Sequence, residues 1–182
     1  MNRNQIEKVL MKDEKVLYTY KPMFIKTVII TVICYLFTLL FVLLALLIPA
    51  SAESMEINVT GGIVALAVIG ITVFFGVVLL LLALAYRNKF YAVTNKRFII
   101  QSGLLGIDFS SIPISGVKFI SVNVSVLDKI LGKGTGTVSF GTVSTPVTPG
   151  QGAKFNFINI YDVYENYRIF KELSDKAQTE DK

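Results

Sequence analysis

The sequence contains no histidine and one cysteine, Cys34, which sits inside an apolar run. Without histidine the commonest general base is missing, and with it the usual catalytic triads. A lone thiol forms no intramolecular disulfide, and no metal cluster can be assembled around it. The chain is therefore read as non-enzymatic, with no catalytic residue, no metal ligand and no cofactor. Charge is also missing, from two long stretches. Residues 27–48, TVIITVICYLFTLLFVLLALLI, and 61–86, GGIVALAVIGITVFFGVVLLLLALAY, hold no Asp, Glu, Lys or Arg.

A hydrocarbon core roughly 30 Å thick is crossed by about 20 apolar residues at about 1.5 Å rise each, and both runs reach that length. They are apolar on every face, and a chain of 182 residues has little else to bury them as core helices. Both are predicted transmembrane helices. Without ionisable groups, conduction by one such hairpin is not expected. Small residues at Gly61, Ala65, Gly70 and Gly76 would allow close packing of the two spans on each other.

The flanks set the orientation. Arg3, Lys8, Lys12, Lys15, Lys21 and Lys26 precede the first run and Arg87, Lys89, Lys96 and Arg97 follow the second, whereas the loop between has Glu53 and Glu56 and no basic residue. Basic flanks stay on the cytoplasmic side, which predicts a multi-pass protein of the cell membrane with both termini cytoplasmic. Ala50-Ser51-Ala52 looks like a signal-peptidase box. The first run is too long and starts too late for a signal peptide, and Glu7, Asp13 and Glu14 lie ahead of it. The formal charge of +5 gathers beside the runs, as topology alone requires. It speaks for anionic lipid headgroups rather than nucleic acid.

Outside the hairpin the hydrophobic period changes. Ile6, Val9 and Leu10 have the spacing of a short helical turn, and residues 12–24 then alternate. That alternation fits either a strand paired with the C-terminal part or an interfacial linker anchored by Tyr and Lys. Residues 89–94 and 97–103 read as strands joined by a turn at Asn95-Lys96. Residues 104–114 read as a strand broken at Gly106 and Pro113. Residues 118–126 read as a half-buried strand with Ile120, Val122, Val124 and Val126 on one face, and LDKIL as a turn or short helix. Two more strands follow, at 132–143 and 153–160. Ile160, Val163, Tyr164, Tyr167, Phe170 and Leu173 then form the apolar stripe of an amphipathic helix, ahead of a frayed polar tail at 177–182.

Three stretches carry candidate chemistry. GKGTG at 132–136 resembles a phosphate loop, but a strand pattern follows where such a loop needs a helix, so the glycines are read as a tight turn. The Ser, Thr, Pro and Gly-rich segment 142–152 is read as a hairpin connection. Arg87, Lys89, Lys96 and Arg97 are the candidate contacts to lipid headgroups at the membrane surface.

YAVTNKRFIIQSGLLG, followed by SSIPISGVKFISVNVSVLDKILGKGTGTVSFGT, resembles the bacterial pleckstrin-homology (PH) domain family, the YdbS-like group of small membrane proteins. Tyr91, Thr94, Arg97, Ser102, Gly103, Ile112, Pro113, Leu131, Gly132 and Gly134 occupy the positions of the family pattern. DEKVLYTYKPMFIKTV resembles the family's lead-in to its spans. The resemblance implies a PH-like β-barrel of about seven strands capped by the C-terminal helix, with mainly structural roles for the pattern positions. It brings no catalytic residue. The phosphoinositide-binding signature of eukaryotic PH domains is not seen between Tyr91 and Arg97, and 143–152 departs from the compact hairpin of the family.

The expected organisation is a lead-in at 1–26, spans at 27–48 and 61–86, an external loop at 49–60, a PH-like domain at 87–176 and the tail. The expected function is that of a membrane-anchored scaffold binding a protein partner, another copy of itself or anionic headgroups. The alternative is an accessory subunit of a transport, export or envelope-stress system conferring tolerance to membrane-active peptides.

Overall fold

The computed structural model describes residues 4–47, 57–131, 134–142 and 155–180. Its chain divides into two compact units, Thr27–Ala83 and a second made of Met1–Lys26 with Leu84–Lys182.

The first unit holds most of α1 (Ile25–Leu47) and α2 (Ile57–Arg87). Both are long and apolar enough to cross a membrane. The two helices meet where Tyr35 Oη and Thr72 Oγ1 are 3.1 Å apart and the rings of Tyr35 and Phe75 lie 5.4 Å apart. Glycine does not make this contact. A Cβ built on Gly70 or Gly76 would meet no atom within 4 Å. The sequence-predicted loop is shortened from its C-terminal side because α2 begins at Ile57; residues 48–56, with Ala50-Ser51-Ala52, lie outside the described residues.

The second unit is mostly β. A four-stranded antiparallel sheet runs β1 (Val16–Tyr20), β2 (Phe90–Thr94), β3 (Arg97–Ser102), β4 (Asp108–Pro113). A three-stranded sheet runs β5 (Phe119–Asn123), β6 (Gly136–Gly141), β7 (Phe155–Ile160). Between β5 and β6 lies the short helix α3 (Val126–Ile130), and after β7 comes α4 (Val163–Glu180). The alternating stretch ahead of the hairpin is thus a strand. Tyr20 stands opposite Tyr91 and Thr19 opposite Ala92, so the apolar hairpin is an insertion between two hydrogen-bonded neighbours of one sheet.

Between the sheets lies an aromatic core. Alternation along β2, β3, β6 and β7 sends Tyr91, Phe98, Phe140 and Phe157 to one interior, where all four are buried, and α4 adds Phe170. Phe157 is the hub. Its ring stacks on Tyr91 at 4.7 Å and meets Phe140 at 5.0 Å and Phe170 at 5.7 Å. Phe157→Ala should cost about 3–5 kcal/mol, since the surrounding rings cannot collapse into so large a void. Chemical denaturation followed by tyrosine near-UV dichroism would show it; a loss below about 1 kcal/mol would mean that the core repacks. On the outer face of the first sheet a second, smaller cluster covers Ala92 and Ile99 with Ile6, from a 3-10 turn at Ile6–Val9.

Three sequence readings need correction here. Val126 does not continue β5. Ser125 takes the N-cap of α3, its hydroxyl accepting from the Asp128 N–H while the Asp128 carboxylate accepts from the Ser125 N–H, and this capping box ends the strand run. On α4 the buried face is rotated from the predicted stripe. Ile160 belongs to β7, Tyr164 is exposed, and Asn166 and Ser174 are buried between Val163, Phe170 and Ala177. Asn166 is held inside because its amide donates to Tyr161 O at 2.8 Å and its Oδ1 accepts from Tyr20 Oη at 2.6 Å. Nor is 177–180 frayed: α4 runs to Glu180, and Gln178 donates to Val117 O at 2.8 Å.

Candidate functional site

The turn between β2 and β3 brings together Thr94, Lys96 and Arg97, and the structure draws Glu14 in among them. Glu14 Oε1 accepts from Thr94 Oγ1 at 2.7 Å and from Arg97 Nε at 3.0 Å, and its Oε2 accepts from the Met11 N–H at 2.7 Å and from Arg97 Nη2 at 3.0 Å. The Glu14 side chain is fully buried. Burial alone would raise its pKa, but the bonds from Arg97, the Met11 amide and Thr94 outweigh it and hold the carboxyl at about 2. Arg97 Nη2 also donates to Val9 O at 2.6 Å. Its guanidinium is engaged on the N-terminal segment. Thr94 completes the turn by accepting from the Arg97 N–H at 2.9 Å.

The other predicted contacts are spread out. Lys96 Nζ donates to Lys12 O at 3.1 Å. Lys89 is half-buried, and desolvation lowers its pKa. Arg87, the last residue of α2, is exposed. Of the family-pattern positions, Tyr91 lies in the aromatic core and accepts from the Ile158 N–H at 3.0 Å. Ile112 faces the same core. Ser102 pairs with Asp108 in the β3 to β4 register, and Pro113 closes β4 opposite Arg97. Gly103 has φ +136°, and a Cβ there would come within 2.4 Å of Gly106 O, so the turn excludes any other residue. Leu131 follows α3, Gly134 accepts from the Val163 N–H at 2.9 Å, and Gly132 lies outside the described residues, as does 143–152.

Sequence reasoning missed a second buried carboxylate. Asp128 accepts from Lys26 Nζ at 2.8 Å, from Ser125 and from Thr135 Oγ1 at 2.8 Å. Burial raises its pKa, and these bonds, Lys26 foremost, more than reverse that and bring it to about 2. The capping-box spacing from Ser125 to Asp128 was the available signal.

An open groove of about 310 Å³ lies between β1 and α4, lined by Leu17, Tyr18, Ile169, Glu172, Leu173 and Lys176. β1 is the edge of its sheet, and Leu17 and Tyr18 are exposed on it. An edge strand carries a row of backbone donors and acceptors available to another chain. The groove sets that edge beside Ile169, Glu172, Leu173 and Lys176 of α4.

Two β-sheets packed on an aromatic core, with a groove beside an edge strand, define a β-sandwich of the binding-module kind. The family model described as the bacterial PH domain matches residues 22–176, and the chain belongs to that family. No curated protein matches it. Among solved structures, a DUF1696-family protein with a pleckstrin-homology domain from Shewanella loihica aligns over 96% of this chain and 98% of its own, at 9% identity and a TM-score of 0.42. The matched segment begins after β1, so one of the two strands that pair with β2 lies outside it.

Proposed function

We propose that this chain is a non-enzymatic, membrane-anchored docking module, its sandwich held at the cytoplasmic face by α1 and α2 and its open side covered by α4. The observation that carries this reading is the insertion of the hairpin between β1 and β2. Strands of one sheet lie on one side of a membrane, so the two helices must cross and return. The basic flanks make that side the cytoplasm. Tethering confines the sandwich to the surface and raises its effective concentration toward anything else held there.

The groove between β1 and α4 is the docking site in this reading, for a protein partner or a second copy. Backbone groups of the β1 edge would pair with an extended segment, and Glu172 and Lys176 would set its charge preference. The test is native mass spectrometry of the full chain from mild detergent, beside the double variant Leu17→Arg, Tyr18→Glu. A discrete oligomer or retained partner that the variant loses supports the reading. A bare monomer, or a partner that the variant keeps, overturns it.

Headgroup binding is a second reading, favoured by the exposed Arg87 at the end of α2 and by Lys89 close behind it. Lys96 and Arg97 contribute less to it, since both are engaged with the N-terminal segment. Anionic lipid retained by the native protein and lost in Arg87→Gln, Lys89→Gln is the expected result.

A further inference from the structure

Five residues of the sandwich unit lie next to the apolar hairpin in the chain: Phe24 and Lys26 before it, Tyr86, Arg87 and Asn88 after it. The rings of Phe24 and Tyr86 are 4.7 Å apart, so the two strands of chain leave the sandwich side by side. Each is tied to a segment whose tip is apolar and bare. Asn88 Nδ2 donates to Gly103 O and Leu104 O at 3.3 Å, and its own carbonyl accepts from Gln101 Nε2 at 3.0 Å. This fixes the β3 to β4 turn, where Leu105 is 88% exposed. Lys26 pairs with Asp128 at 2.8 Å, which fixes α3. With Asp128 turned inward, the outer face of α3 presents Val126 and Ile130, one turn apart and 72% and 73% exposed, with Lys129 between them.

Single exposed apolar residues need no explanation. These three are different because each sits on a segment hydrogen-bonded to a residue that adjoins a span. We infer that the β3 to β4 turn and α3 rest in the lipid interface, Leu105, Val126 and Ile130 dipping into the boundary between headgroups and acyl chains while Lys129 reaches the phosphates. The inference rests on α1 and α2 spanning the membrane, and it adds a contact that tethering alone does not require. Such a contact is that of an interfacial anchor, with the lysine stem carrying its charge to the surface.

The sequence holds no tryptophan, so one introduced indole reports on one place. Full-length Leu105→Trp and Ile130→Trp are reconstituted into phosphatidylcholine and phosphatidylglycerol vesicles whose acyl chains carry bromine at a shallow or a deep carbon. Leu17→Trp, on the β1 edge, is the reference for water, and Leu40→Trp, within α1, the reference for the spans. All four positions are at least 45% exposed, so the replacements need not disturb packing. The expected result is a loss of roughly half the emission at positions 105 and 130 with shallow bromine and less with deep bromine, as befits a depth of about 5–10 Å. Position 17 should be unaffected and position 40 quenched best by deep bromine. Quenching at 40 with none at 105 and 130 overturns the inference and leaves the spans standing. No quenching at 40 overturns the spanning reading, and this inference falls with it.

Discussion

A chain shortened to begin at Lys21 is expected to lose the cooperative unfolding of its sandwich, although it keeps the whole of the segment that matches the family. The cut removes β1 and leaves β2 as a bare edge. It takes Ile6 from over Ala92 and Ile99, and it takes Tyr20 from its edge-on contact with Phe170 at 5.7 Å. It also removes Glu14 and leaves the mostly buried Arg97 without its carboxylate. Tyr20 is half-buried and costs less than the about 3–5 kcal/mol of a fully buried aromatic, while an uncompensated buried charge costs about 3–5 kcal/mol. A small domain has only about 5–15 kcal/mol in total. Hydrogen exchange in detergent should therefore show β2 and β3 exchanging at nearly unprotected rates while α1 and α2 stay protected. Native-like protection of β2 would mean that the first strand is dispensable.

Arg97→Ala should be the most damaging single change at the turn, at about 3–5 kcal/mol, because it leaves Glu14 buried without a cation. The same pair gives the protein an acid limb. Glu14 has its pKa lowered from 4.5 to about 2 on folding, so its ionised form favours the fold. The stability it contributes is complete above the ordinary carboxylate range and disappears as pH falls toward 2, a difference of about 3 kcal/mol. Asp128, lowered from 3.8 to about 2, adds a smaller loss over the lower part of the same window. Melting temperatures followed by tyrosine dichroism should fall steeply in the wild type from about pH 5 to 2. In Arg97→Ala the midpoint should already be low at pH 7 and the fall shallower, with the Asp128 share remaining. An unchanged midpoint at neutral pH would remove Arg97 from any role in holding the N-terminal segment.

What the sequence made legible follows from the range over which each signal acts. Two uncharged runs announce long apolar helices with no help from the rest of the chain. Alternation marked β5, and β-branched and aromatic residues around a tight turn marked β2 and β3, because a strand's two faces and a hairpin's turn are written in consecutive residues. Alternation at 16–20 was equally readable as strand or linker, since pairing with β2 depends on residues more than 70 positions away. For the same reason Arg97 looked like a surface cation. Its partner Glu14 stands 83 residues earlier, and no local pattern links them. Tyr164 was expected on the buried stripe of α4, but Asn166 is buried and Tyr164 exposed, because the asparagine has partners at both Tyr20 and Tyr161, one of them 146 residues distant. Gly103 was legible as a family position, yet only the approach of the Gly106 carbonyl explains why the side chain must be absent.

The insertion of the hairpin between β1 and β2 also governs how the protein is born. β1 leaves the ribosome first and has no partner until both helices have been made. At about 5–20 residues per second the 71 residues from Tyr20 to Tyr91 take roughly 4 to 14 s. During that time an alternating, tyrosine-rich strand waits with both edges open. In the membrane-anchored reading proposed above, folding of the sandwich is a proofreading step for topology: only a chain whose second helix has returned across the bilayer can join β2 to β1. In that reading a chain that fails to return keeps two unpaired strand edges, open to pairing with other chains.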